Sequence, residues 1–169
     1  EIQLPFIQEA LPNSKILPIV FGGVSVDEFF FLGTALFELR NAALAAGKRV
    51  LVVASSDLSH YHDAETCERM DSLVETRVAE LQVDHLIQEI RSGKSEACGF
   101  GPLVSTMFYV SHFPGSYSKV LKRTNSGEVS GDYSRGVVGY LAAAFYVDKK
   151  NLVLSHSDAV HAESVGDSE

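Results

Sequence analysis

Apolar residues fall into helical stripes and short continuous runs along this chain. From Asp27 onward, Phe29, Leu32, Leu36, Leu39 and Ala43 recur at spacings of three and four. Phe30, Gly33, Phe37 and Leu44 widen that stripe, so an amphipathic helix is predicted. Asp27 suits its N-cap, Glu28 its first turn, and Gly47 the left-handed residue that ends it. A second stripe, Cys67, Met70, Val74, Val78 and Leu81, predicts a helix from Asp63 to Leu81 with Asp63 as cap. A shorter helix is expected from Val83 to Ser92, with Leu86, Ile87 and Ile90 inward and Gly93 as its stop. Pro102 suits the first turn of another, running through Val104, Met107, Phe108 and Val110.

The continuous runs read as strands. Lys15 to Phe21 is one, with Pro18 as a warning, because proline removes a ladder donor. Val50 to Ala54 is apolar and β-branched without alternation, so it reads as buried on both faces. Strand, helix and strand then make a βαβ unit with a parallel pair. Tyr117 to Thr124 reads as a strand with one wet face, residues 125–132 as a loop, and Gly136 to Val147 as another buried strand. Residues 1–10 fit either a short helix or an extended entry segment. The expected class is α/β: a layered α/β/α sandwich around a mostly parallel or mixed sheet. From Asp148 to Glu169 the chain turns polar and acidic, and a weakly ordered tail is expected.

Composition narrows the function. The 169 residues are 46% hydrophobic and 21% charged, which suits one domain, or part of one, with a real core. The net charge of −8 lacks the basic stripe that non-specific nucleic-acid binding needs. Two cysteines make no disulfide framework, and a reducing, cytoplasmic setting is the expectation. No apolar run approaches the ~20 residues of a membrane span.

Polarity switches abruptly after Ala54. Ser55, Ser56, Asp57, Ser59, His60, Tyr61, His62 and Asp63 follow the apolar run directly, at the carboxyl end of a predicted strand, where open α/β sheets place their ligands. His60 suits a general base or a metal ligand, with Asp57 orienting it. The same residues also suit a helix cap, and both readings stand on this segment alone. His62 reads as a bystander. Cys98, beside Gly99 at a helix start, suits a thiolate ligand for iron, copper or zinc. It equally suits a small buried hydrophobe, which is the commoner state of a free cysteine. Cys67 sits on an apolar helix face and reads as core.

Several segments, taken in order, carry a resemblance. They are Glu1-Ile2-Gln3-Leu4-Pro5-Phe6, Ser55-Ser56-Asp57-Leu58-Ser59-His60-Tyr61, Ala97-Cys98-Gly99-Phe100-Gly101-Pro102, Asn125-Ser126-Gly127, Ser130-Gly131-Asp132 and Val137-Val138-Gly139-Tyr140. Together they resemble the Memo family, which includes the AmmeMemoRadiSam system protein B group.

The resemblance implies a fold related to the class III extradiol dioxygenases, in which two histidines and a carboxylate hold non-haem iron. In Memo proteins a cysteine stands where the carboxylate ligand would be. Carried over, Cys98 is that cysteine and a metal ligand with His60, while His60 and Asp57 are the catalytic pair on the base side. Iron or copper binding with redox activity is implied. The resemblance also implies that residues 1–147 are the C-terminal part of the domain, with two further histidines before residue 1. An incomplete domain would leave an open sheet edge and an apolar patch, favouring homo-oligomers. Two alternatives are a non-catalytic module that binds a peptide or small ligand in the same pocket, and a truncated product without independent activity.

Overall fold

A computed structural model of the chain describes residues 2–23 and 25–147. The expected tail, 148–169, lies outside the described residues. The helices are α1 (Leu4–Ala10), α2 (Val26–Ala45), α3 (Ala64–Ala79), α4 (Val83–Arg91), α5 (Phe100–Ser111) and α6 (Ser126–Ser130). The strands are β1 (His60–His62), β2 (Tyr117–Asn125) and β3 (Val137–Tyr146). The class is α/β, with a small sheet in the order β1-β3-β2 and both pairings antiparallel.

The expected parallel strand–helix–strand unit does not form. Residues 15–21 carry no strand, and Leu17 and Val20 are exposed. Residues 50–54 are not a strand either, and they are not buried on both faces. Leu51 and Val53 are exposed, whereas Val52 and Ala54 are half-buried. The reason is the absence of a ladder partner among the described residues. Pairing with β3 starts only at Leu58, whose N–H donates to Gly139 O at 2.9 Å, and Gly139 N–H returns to Ser59 O at 2.9 Å.

The last strand is buried on one face, not two. Along β3, Val137 and Gly139 are buried and Leu141, Ala143 and Phe145 are half-buried, while Tyr140, Ala142 and Tyr146 are exposed. That alternation turns one face toward α3. The outer face carries Leu121, Tyr140 and Tyr146 in the open, so the described sheet is covered by helix on one side. Arg123 ties β2 to α3, with Nε donating to Glu75 and the two Nη atoms to Glu68, each at 2.6 Å.

The core gathers Val74 and Val78 of α3, Leu86 and Ile87 of α4, Val104 and Met107 of α5, Phe29 of α2 and Leu58. Here the predicted stripes of α3 and α4 are the buried faces. The predicted face of α2 is turned inward over most of the helix, with Phe30, Leu32, Leu36 and Phe37 half-buried, but its later members Leu39 and Leu44 are exposed. Phe29 and Gly33, both in the predicted stripe, are fully buried. Phe30 meets Phe108 at 4.6 Å between ring centroids, and Phe37 meets Phe113 at 5.1 Å. Gly33 allows the close approach of α2 to α5: a Cβ there would lie 2.8 Å from the Phe108 ring. The N-cap of α2 is Ser25 rather than Asp27, because Glu28 reaches back to accept the Ser25 N–H at 2.6 Å. Asp63 caps α3 as expected, accepting Thr66 N–H at 3.0 Å. Residues 126–130, expected within a loop, make the short helix α6, entered by the Asn125 side chain accepting Glu128 N–H at 2.9 Å.

Candidate metal centre

The segment from Ser55 to Ser59 leaves the half-exposed 50–54 run and dives into the core at Leu58. Every step of it is tied down. Gly99 N–H donates to Ser56 Oγ at 2.8 Å, Asp57 N–H to Cys98 Sγ at 3.1 Å, and Cys98 N–H to Asp57 O at 3.2 Å. The chain can come this close because residue 99 is glycine. Its φ of −93° is open to any residue, so the requirement is room. A Cβ there would stand 2.6 Å from Ser56 Cβ and closer still to Ser55 O.

The next residues are fixed from below. Ser59 N–H donates to Asp71 Oδ1 at 3.1 Å, and Cys67 Sγ donates to Asp71 Oδ2 at 3.1 Å. Asp71 is buried under β3 where Gly139 leaves space for its carboxylate. Burial, and then the Asp71 carboxylate, push the Cys67 thiol up to about 11, so Cys67 is an inert core thiol, as predicted.

β1 then bulges. Tyr61 adopts φ 59°, a left-handed backbone uncommon for a bulky residue, and the register with β3 shifts between His60 and His62. Gly136 accommodates the bulge, since a Cβ there would lie 2.6 Å from the Tyr61 carbonyl carbon. Glu96 grips both sides of it. Its Oε2 accepts His60 N–H at 3.2 Å, and its Oε1 lies 3.0 Å from His62 Nε2. Burial raises the Glu96 carboxyl, but these contacts outweigh it and hold the group below its ordinary value.

The outcome is one cluster of unlike donors. An oxygen of Asp57, a ring nitrogen of His60 and the sulfur of Cys98 all lie within 4.8 Å of one another. Asp57 Oδ2 stands 3.8 Å from His60 Nε2. Asp57 and Cys98 are exposed and His60 is half-buried, so the cluster opens to one side. The three residues singled out in the sequence therefore converge. Two neighbours were not singled out. Glu96 gave no signal beyond its place two residues before Cys98, and His62 was read as a bystander although its ring pairs with Glu96. His112 takes no part: it stacks on Phe37 at 4.9 Å. A groove of about 350 Å³, lined by Phe30, Leu81, Val83, His85 and Phe108 among others, includes none of the three donors.

Comparison with known proteins gives the chain its family. The family model described as "Memo-like protein" matches residues 1–144. A "MEMO1 family protein" of Desulfurococcus amylolyticus is 38% identical over 148 residues, which is 87% of this chain and 50% of the relative. Another, from Methanosarcina acetivorans, is 36% identical over 84% of this chain and 52% of its own length. A third, from Archaeoglobus fulgidus, is 34% identical over 87% of this chain and 54% of its own length. The chain thus spans about half the length of the curated relatives it matches.

Proposed function

The chain belongs to the Memo-like protein family, and we propose that Asp57, His60 and Cys98 form one wall of a site that binds iron or copper. The observation that carries this is the convergence of thiol, imidazole and carboxylate from segments 41 residues apart, locked together by a reciprocal pair of hydrogen bonds, Asp57 N–H to Cys98 Sγ and Cys98 N–H to Asp57 O. The donor chemistry fits. A thiolate and an imidazole favour copper, iron or zinc over magnesium or calcium, which prefer oxygen alone.

Each residue has a task in this reading. Cys98 ligates through sulfur, and the Asp57 N–H holds that sulfur in place. His60 ligates through its ring or carries a proton, with the Asp57 carboxylate beside it to orient the imidazole. A bound copper or iron ion would supply one-electron redox chemistry. The open side of the cluster leaves room for further ligands or a small substrate.

Copper(I) is the better probe of this chain, because it is soft and accepts few ligands, whereas iron(II) asks for more donors than three. Anaerobic titration against a competing chelator is expected to show copper(I) binding that Cys98→Ala abolishes and His60→Ala weakens. Iron(II) should bind more weakly. Equal binding of both metals by wild type and Cys98→Ala would overturn the proposal.

A further inference from the structure

We propose that Glu96, with His62 as its latch, is the positioning residue that holds His60 in reach of Cys98; this rests on the metal-site reading above. In a regular strand, residues 60 and 62 share a face and point the same way. Here they have different partners. The His60 ring lies by Asp57 at 3.8 Å, while the His62 ring lies by Glu96 at 3.0 Å. The residue between them, Tyr61, carries the left-handed backbone and the register shift.

Such a conformation persists in a bulky residue only where the surroundings over-determine it. Glu96 supplies two of the restraints, one on each side of Tyr61: the His60 N–H on Oε2 and the His62 ring on Oε1. Gly136 supplies the room behind it. Glu96 also lies on the segment that delivers Cys98. One carboxylate therefore fixes the strand bearing the imidazole to the turn bearing the thiol. It touches neither ligand atom and acts through His60. Asp71 performs a similar service one residue earlier, at Ser59, but from the core and without contact to either histidine.

The test compares Glu96→Ala, Glu96→Gln and His62→Ala with wild type. Glutamine keeps an oxygen for the His60 N–H and offers an amide hydrogen to a neutral His62 ring, so it should rescue. Two measurements are made on each. The first, free of metal, is amide hydrogen exchange at His60, read beside that at buried Val74 as a control for global stability. The second is copper(I) affinity. Glu96→Ala should lose protection at His60 but not at Val74, and lose about 10- to 100-fold in affinity, the usual cost of removing a group that supports a ligand. His62→Ala should fall between Glu96→Ala and wild type on both measurements, and Glu96→Gln should stay close to wild type.

Unchanged His60 exchange in Glu96→Ala overturns the clamp, as does unchanged copper affinity in a wild type that binds copper. Should wild type bind no copper, the metal-site reading fails by itself, and the exchange data still decide whether Glu96 holds the bulge.

Discussion

Gly99→Ala is the sharpest perturbation of this structure, because it adds a single methyl where two chain segments touch. That methyl would lie 2.6 Å from Ser56 Cβ and 2.9 Å from Ser56 Oγ, and nearer still to the Ser55 carbonyl. The Ser55 oxygen is backbone, so no side chain can swing away to relieve the contact. One segment must move by about 1 Å to restore ordinary van der Waals separation. Three hydrogen bonds span the gap: Gly99 N–H to Ser56, Asp57 N–H to Cys98 and Cys98 N–H to Asp57. Overpacking of this kind costs roughly 1–3 kcal/mol. Weakening the three hydrogen bonds without breaking them adds roughly 1 kcal/mol in all. The total expected is about 2–4 kcal/mol. In a chain of this size that lowers the melting temperature by about 5–15 °C. Thermal unfolding followed by circular dichroism measures it, and the copper(I) titration reads the accompanying loss of affinity. A Gly99→Ala protein with wild-type melting and wild-type copper binding would refute the claim that this close approach builds the site.

Other outcomes follow from the same contacts. Gly139→Ala should be strongly destabilising, because its Cβ would lie 2.5 Å from Asp71 Cγ; in an Asp71→Ala background the same change should cost at least about 1 kcal/mol less, and strict additivity in a urea double-mutant cycle would contradict the packing described. Alkylation of the folded chain should label Cys98, which is exposed, and spare Cys67, which is buried with its thiol pushed up to about 11; mass spectrometry of the digested product distinguishes the two. The Arg123 hydrogen bond holds the Glu68 carboxyl below its ordinary value of 4.5. A lowered folded value means that the pair's contribution is fully present above pH 4.5 and is lost as pH falls through the lowered value. Arg123→Met should therefore flatten the stability–pH curve below pH 4.5, and an unchanged slope in urea titrations would count against the pair.

The helices of this fold were legible because their stripes are strictly local. Met70, Val74 and Val78 bury the face that their spacing announces, and Asp63 caps where a cap was expected. The end of the α2 stripe was misjudged because periodicity reports a stripe but not how far its partner extends. Phe30 packs on Phe108 of α5 and Phe37 on Phe113 just beyond it, whereas Leu39 and Leu44 are left in water. The strands predicted over Tyr117–Thr124 and Gly136–Val147 form as β2 and β3, but the runs at 15–21 and 50–54 do not, because an apolar run becomes a strand only where a ladder receives it, and the register of that ladder is not written locally. At the site, hydroxyl, carboxylate, imidazole and thiol announced themselves by type. Glu96 did not, because a lone glutamate has no signature until the bulge at Tyr61 brings two histidines onto it. Gly99 and Gly139 were similarly silent: each is glycine to leave room for a distant neighbour.

X-ray absorption at the copper edge of the copper(I)-loaded chain reads the donor atoms of the site themselves. Sulfur and imidazole-nitrogen scattering is expected in the first coordination shell, with the sulfur contribution lost in Cys98→Ala and the imidazole contribution diminished in His60→Ala. A shell unchanged by both substitutions would show that Asp57, His60 and Cys98 are not the metal's seat.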